Sequence, residues 1–155
     1  MIRRHIICFG NPLHGDDGFG PAVYERLARR KRPANLRLTD AGAPGPAALA
    51  LFEDCDEVLI VDAMAPAGAP GRVSRPSPAS IREEATTAAH GLGLGYVLRA
   101  LSALPETAPA VEIIAAEAQS VAPFRPGLSA PMARAVDEVA ALLESYFEAD
   151  DDDHI

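Results

Sequence analysis

The chain has 155 residues, 48% hydrophobic and 23% charged, enough for one domain around one substantial core and calling for no second. Its net charge is -8, but Glu148 and Asp150 to Asp153 supply five of those charges, so residues 1–147 are only mildly acidic and hold no basic stripe to neutralise nucleic-acid phosphates. Two cysteines, Cys8 and Cys55, make no disulfide framework, and no apolar run approaches the roughly 18 residues of a membrane span or resembles a leader. A reduced, cytoplasmic protein that binds neither membrane nor nucleic acid is therefore expected.

With 5% aromatics and no Trp, the core must rest on Leu, Val, Ile and Ala, which suits buried parallel strands covered by helices. Ile6 to Phe9 is a continuous apolar run, as a strand buried on both faces would be. Gly10 to Gly20 follows, reading Gly-Asn-Pro-Leu-His-Gly-Asp-Asp-Gly-Phe-Gly. Its four glycines describe a tight turn that presents His14, Asp16 and Asp17. Pro21 suits the first helical position, and Val23, Leu27 and Ala28 recur at helical spacing until Pro33. The cluster Arg29 to Arg32 reads as a solvated last helical turn, cations near the negative end of the helix dipole.

Leu36 to Leu38 is a short strand ending at Thr39-Asp40, and Pro46 opens a second helix carrying Leu49, Ala50 and Phe52. Val58 to Val61 is the strongest strand signal and ends in Asp62. Pro66 to Pro78 reads as a surface loop containing an edge strand within Arg72 to Arg75. His90-Gly-Leu-Gly-Leu-Gly leads into a helix over Tyr96 to Leu104, with Val97, Leu98 and Leu101 facing the core. Val111 to Ala116 reads as the last inner strand, before Glu117. A final helix runs from an N-cap at Ser129 to about Phe147 through Val136, Val139, Ala140 and Leu143. Residues 148–155 form an acidic, frayed tail.

Alternation of strand and helix predicts a single α/β domain over residues 1–147. Its twisted, mostly parallel five-stranded sheet carries helices on both faces and has an antiparallel edge strand. In such sheets ligands bind beyond the carboxyl ends of the strands, where strand order reverses. Asp16 and Asp17, Asp40, Asp62 and Glu117 all fall on that edge. Carboxylates brought together repel and raise one another's pKa, so a metal ion or a shared proton is the usual resolution. Adding an imidazole gives an oxygen and nitrogen set suited to nickel or zinc. His90 is the best candidate and His14 a second, whereas His5 and His154 lie at the ends of the chain.

Competing motifs are not satisfied. Gly10 and Gly15 have the spacing of a phosphate loop, but Asp16 and Asp17 stand where Lys and Ser or Thr belong and would repel phosphate. Gly10-Asn-Pro-Leu does not supply a dinucleotide fingerprint, and neither a His-Glu-x-x-His helix nor a Gly-x-Ser-x-Gly elbow is present. The physics of the residues reaches a single α/β domain with a metal site.

At these residues the chain resembles the hydrogenase maturation proteases, endopeptidases of nickel-iron hydrogenase assembly. The resemblance rests on Gly10-Asn-Pro-Leu-His-Gly-Asp-Asp-Gly-Phe-Gly-Pro, Asp40-Ala-Gly-Ala-Pro-Gly45, Leu59-Ile-Val-Asp-Ala63 and His90-Gly-Leu-Gly-Leu. It covers about residues 4 to 147. It implies that Asp17, Asp62 and His90 are the metal ligands and the catalytic set. It further implies a monomer that removes a C-terminal peptide from a nickel-iron hydrogenase large-subunit precursor after nickel insertion. Nickel supplied by that substrate is then the recognition element, and other divalent metals can substitute. Two other classes fit the same residues: a nickel-dependent assembly checkpoint or chaperone without proteolysis, and a small-molecule enzyme such as a nucleoside hydrolase.

Overall fold

The computed structural model describes residues 1–87, 93–104 and 108–148. Five strands form one sheet: β1 (Arg4–Phe9), β2 (Leu36–Gly42), β3 (Glu57–Met64), β4 (Val73–Ser74) and β5 (Ala110–Glu117). Their order is β2-β1-β3-β5-β4. The first four neighbours run parallel, and β4 pairs antiparallel with β5 at the edge, Val73 opposite Ala116. This is the expected α/β architecture, antiparallel edge included.

Side chains alternate across the sheet, so each strand feeds two cores. Ile6 and Cys8 of β1 join Leu59 and Val61 of β3 on one face. There α1 (Phe19–Ala28) and α4 (Ala130–Glu148) cover them with Phe19, Val23, Leu27, Met132, Val139 and Leu143. Ile7 and Phe9 join Val58, Ile60 and Ile113 on the other, beneath Phe52 and the Val97, Leu98, Leu101 stripe of α3 (Leu94–Ser102). Continuous apolar runs in β1 and β3 are the signature of strands buried on both faces.

Several boundaries differ from the sequence expectation. The first helix begins at Phe19, two residues before Pro21, and it ends at Ala28, so Arg30 lies beyond its last turn and pairs with Glu144 and Glu148 of α4. Glu148, expected in the tail, is therefore the last residue of a packed helix. The segment Pro46–Phe52 is a 3₁₀ helix in place of an α-helix, buried through Ala48 and Phe52. An additional helix, α2 (Pro78–Thr87), occupies sequence in which no element was expected. Among the described residues no helix is long and apolar enough to cross a membrane.

One contact sets the geometry of the first turn. A Cβ on Gly20 would stand 2.0 Å from the carbonyl oxygen of Phe9, so α1 starts directly against the end of β1 only because no side chain intervenes. That close start folds Gly10 to Gly20 back over the sheet edge.

Candidate functional site

Strand order reverses between β1 and β3, because the chain leaves β1 toward β2 on one side and returns through β3 on the other. Asp17 lies in the short 3₁₀ turn Gly15–Gly18 that follows β1, and Asp62 lies in the last third of β3. The turn packs against β3, so the two carboxylates flank the crevice where this class of sheet binds its ligands.

Asp17 is half-buried, and its Oδ2 accepts the N–H of Asn11 at 2.9 Å. Its position depends on Gly10, whose φ of +144° belongs to glycine and whose missing Cβ would sit 2.1 Å from the carbonyl oxygen of Asp17. Asp62 is also half-buried, and its Oδ1 accepts the N–H of Ala63 at 2.8 Å. Burial, and then the charge of Asp17, push the Asp62 carboxyl up to about 8, against the opposing effect of the Ala63 hydrogen bond. Such a carboxyl holds its proton at neutral pH.

The other acids on this edge have different work. Asp16 is 1% exposed, and its two oxygens accept four hydrogen bonds. Oδ1 takes the Ser129 N–H at 2.7 Å. Oδ2 takes the Gln119 N–H at 2.8 Å, the Ser129 hydroxyl at 2.8 Å and the Ser120 N–H at 3.2 Å. Burial pushes its pKa up, but the four donors outweigh it and the net shift is downward. Asp16 thus clamps the Asp17 turn to the segment between β5 and α4.

Glu117 is 3% exposed and is not a free acid of the site. One carboxylate oxygen accepts the Ala69 N–H, the other lies 3.9 Å from the Arg72 guanidinium, and its carbonyl accepts the Gly71 N–H at 2.7 Å. It anchors the 65–72 loop. Asp40 is exposed and stands within β2, in register with Cys8. Burial, followed by the charges of Asp40 and Asp62, drives the Cys8 thiol far up, and burial also raises Cys55. Neither cysteine has the thiolate character of a nucleophile. His14 packs edge-on against Phe124, ring centroids 5.8 Å apart.

Of the three expected ligands, the structure brings Asp17 and Asp62 together, and His90 lies outside the described residues. Among the described residues no group of three His, Cys, Asp or Glu side chains gathers at metal-binding distance. Beside Asp62 opens a groove of about 500 Å³ walled by apolar side chains, among them Met64, Pro76, Ile81, Leu94 and Ile113. The Asp16 clamp was not legible in the sequence beyond Ser129 as a capping residue, since its partners lie 103 to 113 residues away.

Residues 21–146 match the sequence model of the hydrogenase maturation protease family, HycI. The chain belongs to the hydrogenase maturation proteases. It is 29% identical over 146 residues to a putative hydrogenase maturation protease of Methanocaldococcus jannaschii, covering 89% of this chain and 92% of that one. Its fold is similar to the endopeptidase HycI of Escherichia coli in solution, with a TM-score of 0.77, 27% identity, and 94% and 91% of the two chains covered. It is also similar to the hydrogenase maturating endopeptidase HybD of E. coli, with a TM-score of 0.73 and 26% identity over 93% of each chain. In this maturation protease Asp62 of β3 and Asp17 of the first turn lie on the two sides of the switch-point crevice.

Proposed function

We propose that this chain is the endopeptidase that removes the C-terminal extension of a nickel-iron hydrogenase large-subunit precursor once nickel has been inserted. In this reading Asp17, Asp62 and His90 contact the nickel that the precursor carries. The observation that carries it is the placement of two carboxyls, Asp17 from the first turn and Asp62 from β3, together at the crevice where strand order reverses, close enough that the charge of Asp17 pushes the Asp62 pKa up. Two acids so placed are frustrated without a cation and relieved by one.

The donor set suits the group. Two carboxylate oxygens and one imidazole nitrogen make a borderline-hard set that accepts nickel or zinc and leaves positions open for substrate. When bound, the ion would supply Lewis acidity to the scissile carbonyl or to a water. The chain's own residues do the rest. Asp62 releases its proton as the cation approaches and takes up a fixed ligand orientation through the Ala63 N–H. Asn11 orients Asp17 in the same way. The apolar groove beside Asp62 is large enough for side chains of an extended peptide, with the scissile bond at its acidic end. A metal that arrives only with the substrate makes cleavage conditional on nickel insertion, because the protein's two acids alone offer no electrophile.

The test is the mobility of purified precursor, nickel-loaded or nickel-free, after incubation with the protein. Shortening of the loaded form alone is expected. Absence of shortening in both would leave a non-proteolytic checkpoint as the better reading.

A further inference from the structure

The three large apolar side chains Leu13, Val121 and Phe124 are 53%, 43% and 81% exposed. They stand on two neighbouring segments at the rim of the crevice. The segments are joined by backbone hydrogen bonds from Gly15 to the Arg125 carbonyl and from Asp16 to the Ser120 carbonyl, both at 2.8 Å, and by a bridge between His14 and Arg125. Leu13 is four residues before Asp17, so the patch begins within about 14 Å of the acid along the chain.

Phe124 adds a second, independent observation. Its φ is +58°, a left-handed conformation that a bulky side chain rarely adopts and that glycine or asparagine takes far more easily. The strain does not bury the ring. It holds the ring out in solvent, with one face-to-edge contact to His14. The surroundings over-determine that pose through Asp16, whose carboxylate grips Gln119, Ser120 and Ser129 on the same segment. Backbone strain and an exposed aromatic held together on a rigid loop are what pre-organised recognition requires, and folding alone gains nothing from them.

We infer that Leu13, Val121 and Phe124 form the docking surface for the folded body of the precursor whose C-terminal segment enters the crevice, with Phe124 as the anchor. This rests on the function proposed above. The partner must be a folded protein with an apolar depression beside its C-terminal segment, because the patch projects from the rim and the crevice itself takes the extended peptide. The Asp16 clamp ties anchor and Asp17 to one rigid unit, so docking at Phe124 sets the register of the scissile bond at the acids.

The experiment measures initial rates of shortening of purified nickel-loaded precursor by the wild type, Phe124→Asn and Leu13→Gln, with thermal unfolding of each protein alone. Asparagine accepts the left-handed backbone, so Phe124→Asn is expected to unfold at the same or a higher temperature than wild type. Its KM is expected to rise about 10- to 30-fold, with kcat within about twofold. Leu13→Gln should raise KM by a smaller factor. Unchanged KM in both variants, with an active wild type, overturns the docking surface and leaves the protease reading intact. A wild type that shortens no precursor overturns both. If the wild-type protein alone sediments as a dimer that Phe124→Asn converts to monomer, the patch is a self-association surface and the inference is wrong.

Discussion

Replacing Asp62 by asparagine should stabilise the metal-free protein, and increasingly so as pH rises. The Asp62 carboxyl titrates near 8 in the folded chain, against an ordinary value of 3.8, chiefly because burial disfavours its charge and secondly because Asp17 lies close. A carboxyl whose folded pKa is raised contributes most below its unfolded pKa. That contribution is lost as pH climbs through the folded value, since the unfolded chain gives up its proton first. Four units at about 1.4 kcal/mol each bound the loss at about 6 kcal/mol above pH 8. Water drawn in on ionisation lowers this, so a gain of about 2–4 kcal/mol is expected for Asp62→Asn near pH 8.5, shrinking to near zero near pH 3.5. Asparagine keeps an oxygen to accept the Ala63 N–H, so no donor is orphaned. Urea unfolding of chelator-treated wild type and variant across that range reads the difference directly. Asp17→Asn in the same series removes the second cause and should flatten the wild-type slope. A variant no more stable than wild type at high pH would refute the coupling of Asp62 to burial and to Asp17.

Two further outcomes follow from the turn. Asp16→Ala leaves the Gln119, Ser120 and Ser129 N–H groups without their shared acceptor and should cost about 3–4 kcal/mol at neutral pH by urea unfolding. Because the folded pKa of Asp16 is lowered, its contribution is present above its unfolded value and fades as pH falls through the folded one. The penalty should therefore shrink in acid. Gly10→Ala forces a Cβ against the Asp17 carbonyl at a φ that alanine resists. It should destabilise by about 3 kcal/mol or more and depress processing with it, as paired unfolding and gel-mobility measurements would record.

The sheet was legible because β1 and β3 are unbroken apolar runs, which only strands covered on both faces require. Asp62 was legible for the same reason: an acid that closes such a run at the carboxyl edge has no structural duty there. The segment Pro46–Phe52 misled because its apolar residues have helical spacing, but only seven residues lie between Gly45 and Glu53, too few to repay an α-helical nucleus. The helix Pro78–Thr87 went unseen because its apolar content is thin, with Ile81 the one large aliphatic side chain in Pro-Ala-Ser-Ile-Arg-Glu-Glu-Ala-Thr-Thr. The chemistry of the two residues does not separate Asp16 from Asp17, and only the family resemblance singled out Asp17. Both are acids in one glycine-rich turn, and their roles diverge only through partners more than a hundred residues on. Glu117 has the same lesson, since Ala69 and Arg72 claim it from a loop that carries no regular pattern.

In the proposed function Asp17, Asp62 and His90 act as one cation-binding set in precursor cleavage. The direct measurement is the intact mass of purified nickel-loaded large-subunit precursor after incubation with wild type, Asp17→Asn, Asp62→Asn and His90→Ala. Loss of a C-terminal peptide is expected with wild type alone, while all three variants remain folded. Full processing by any one of the three variants would contradict it.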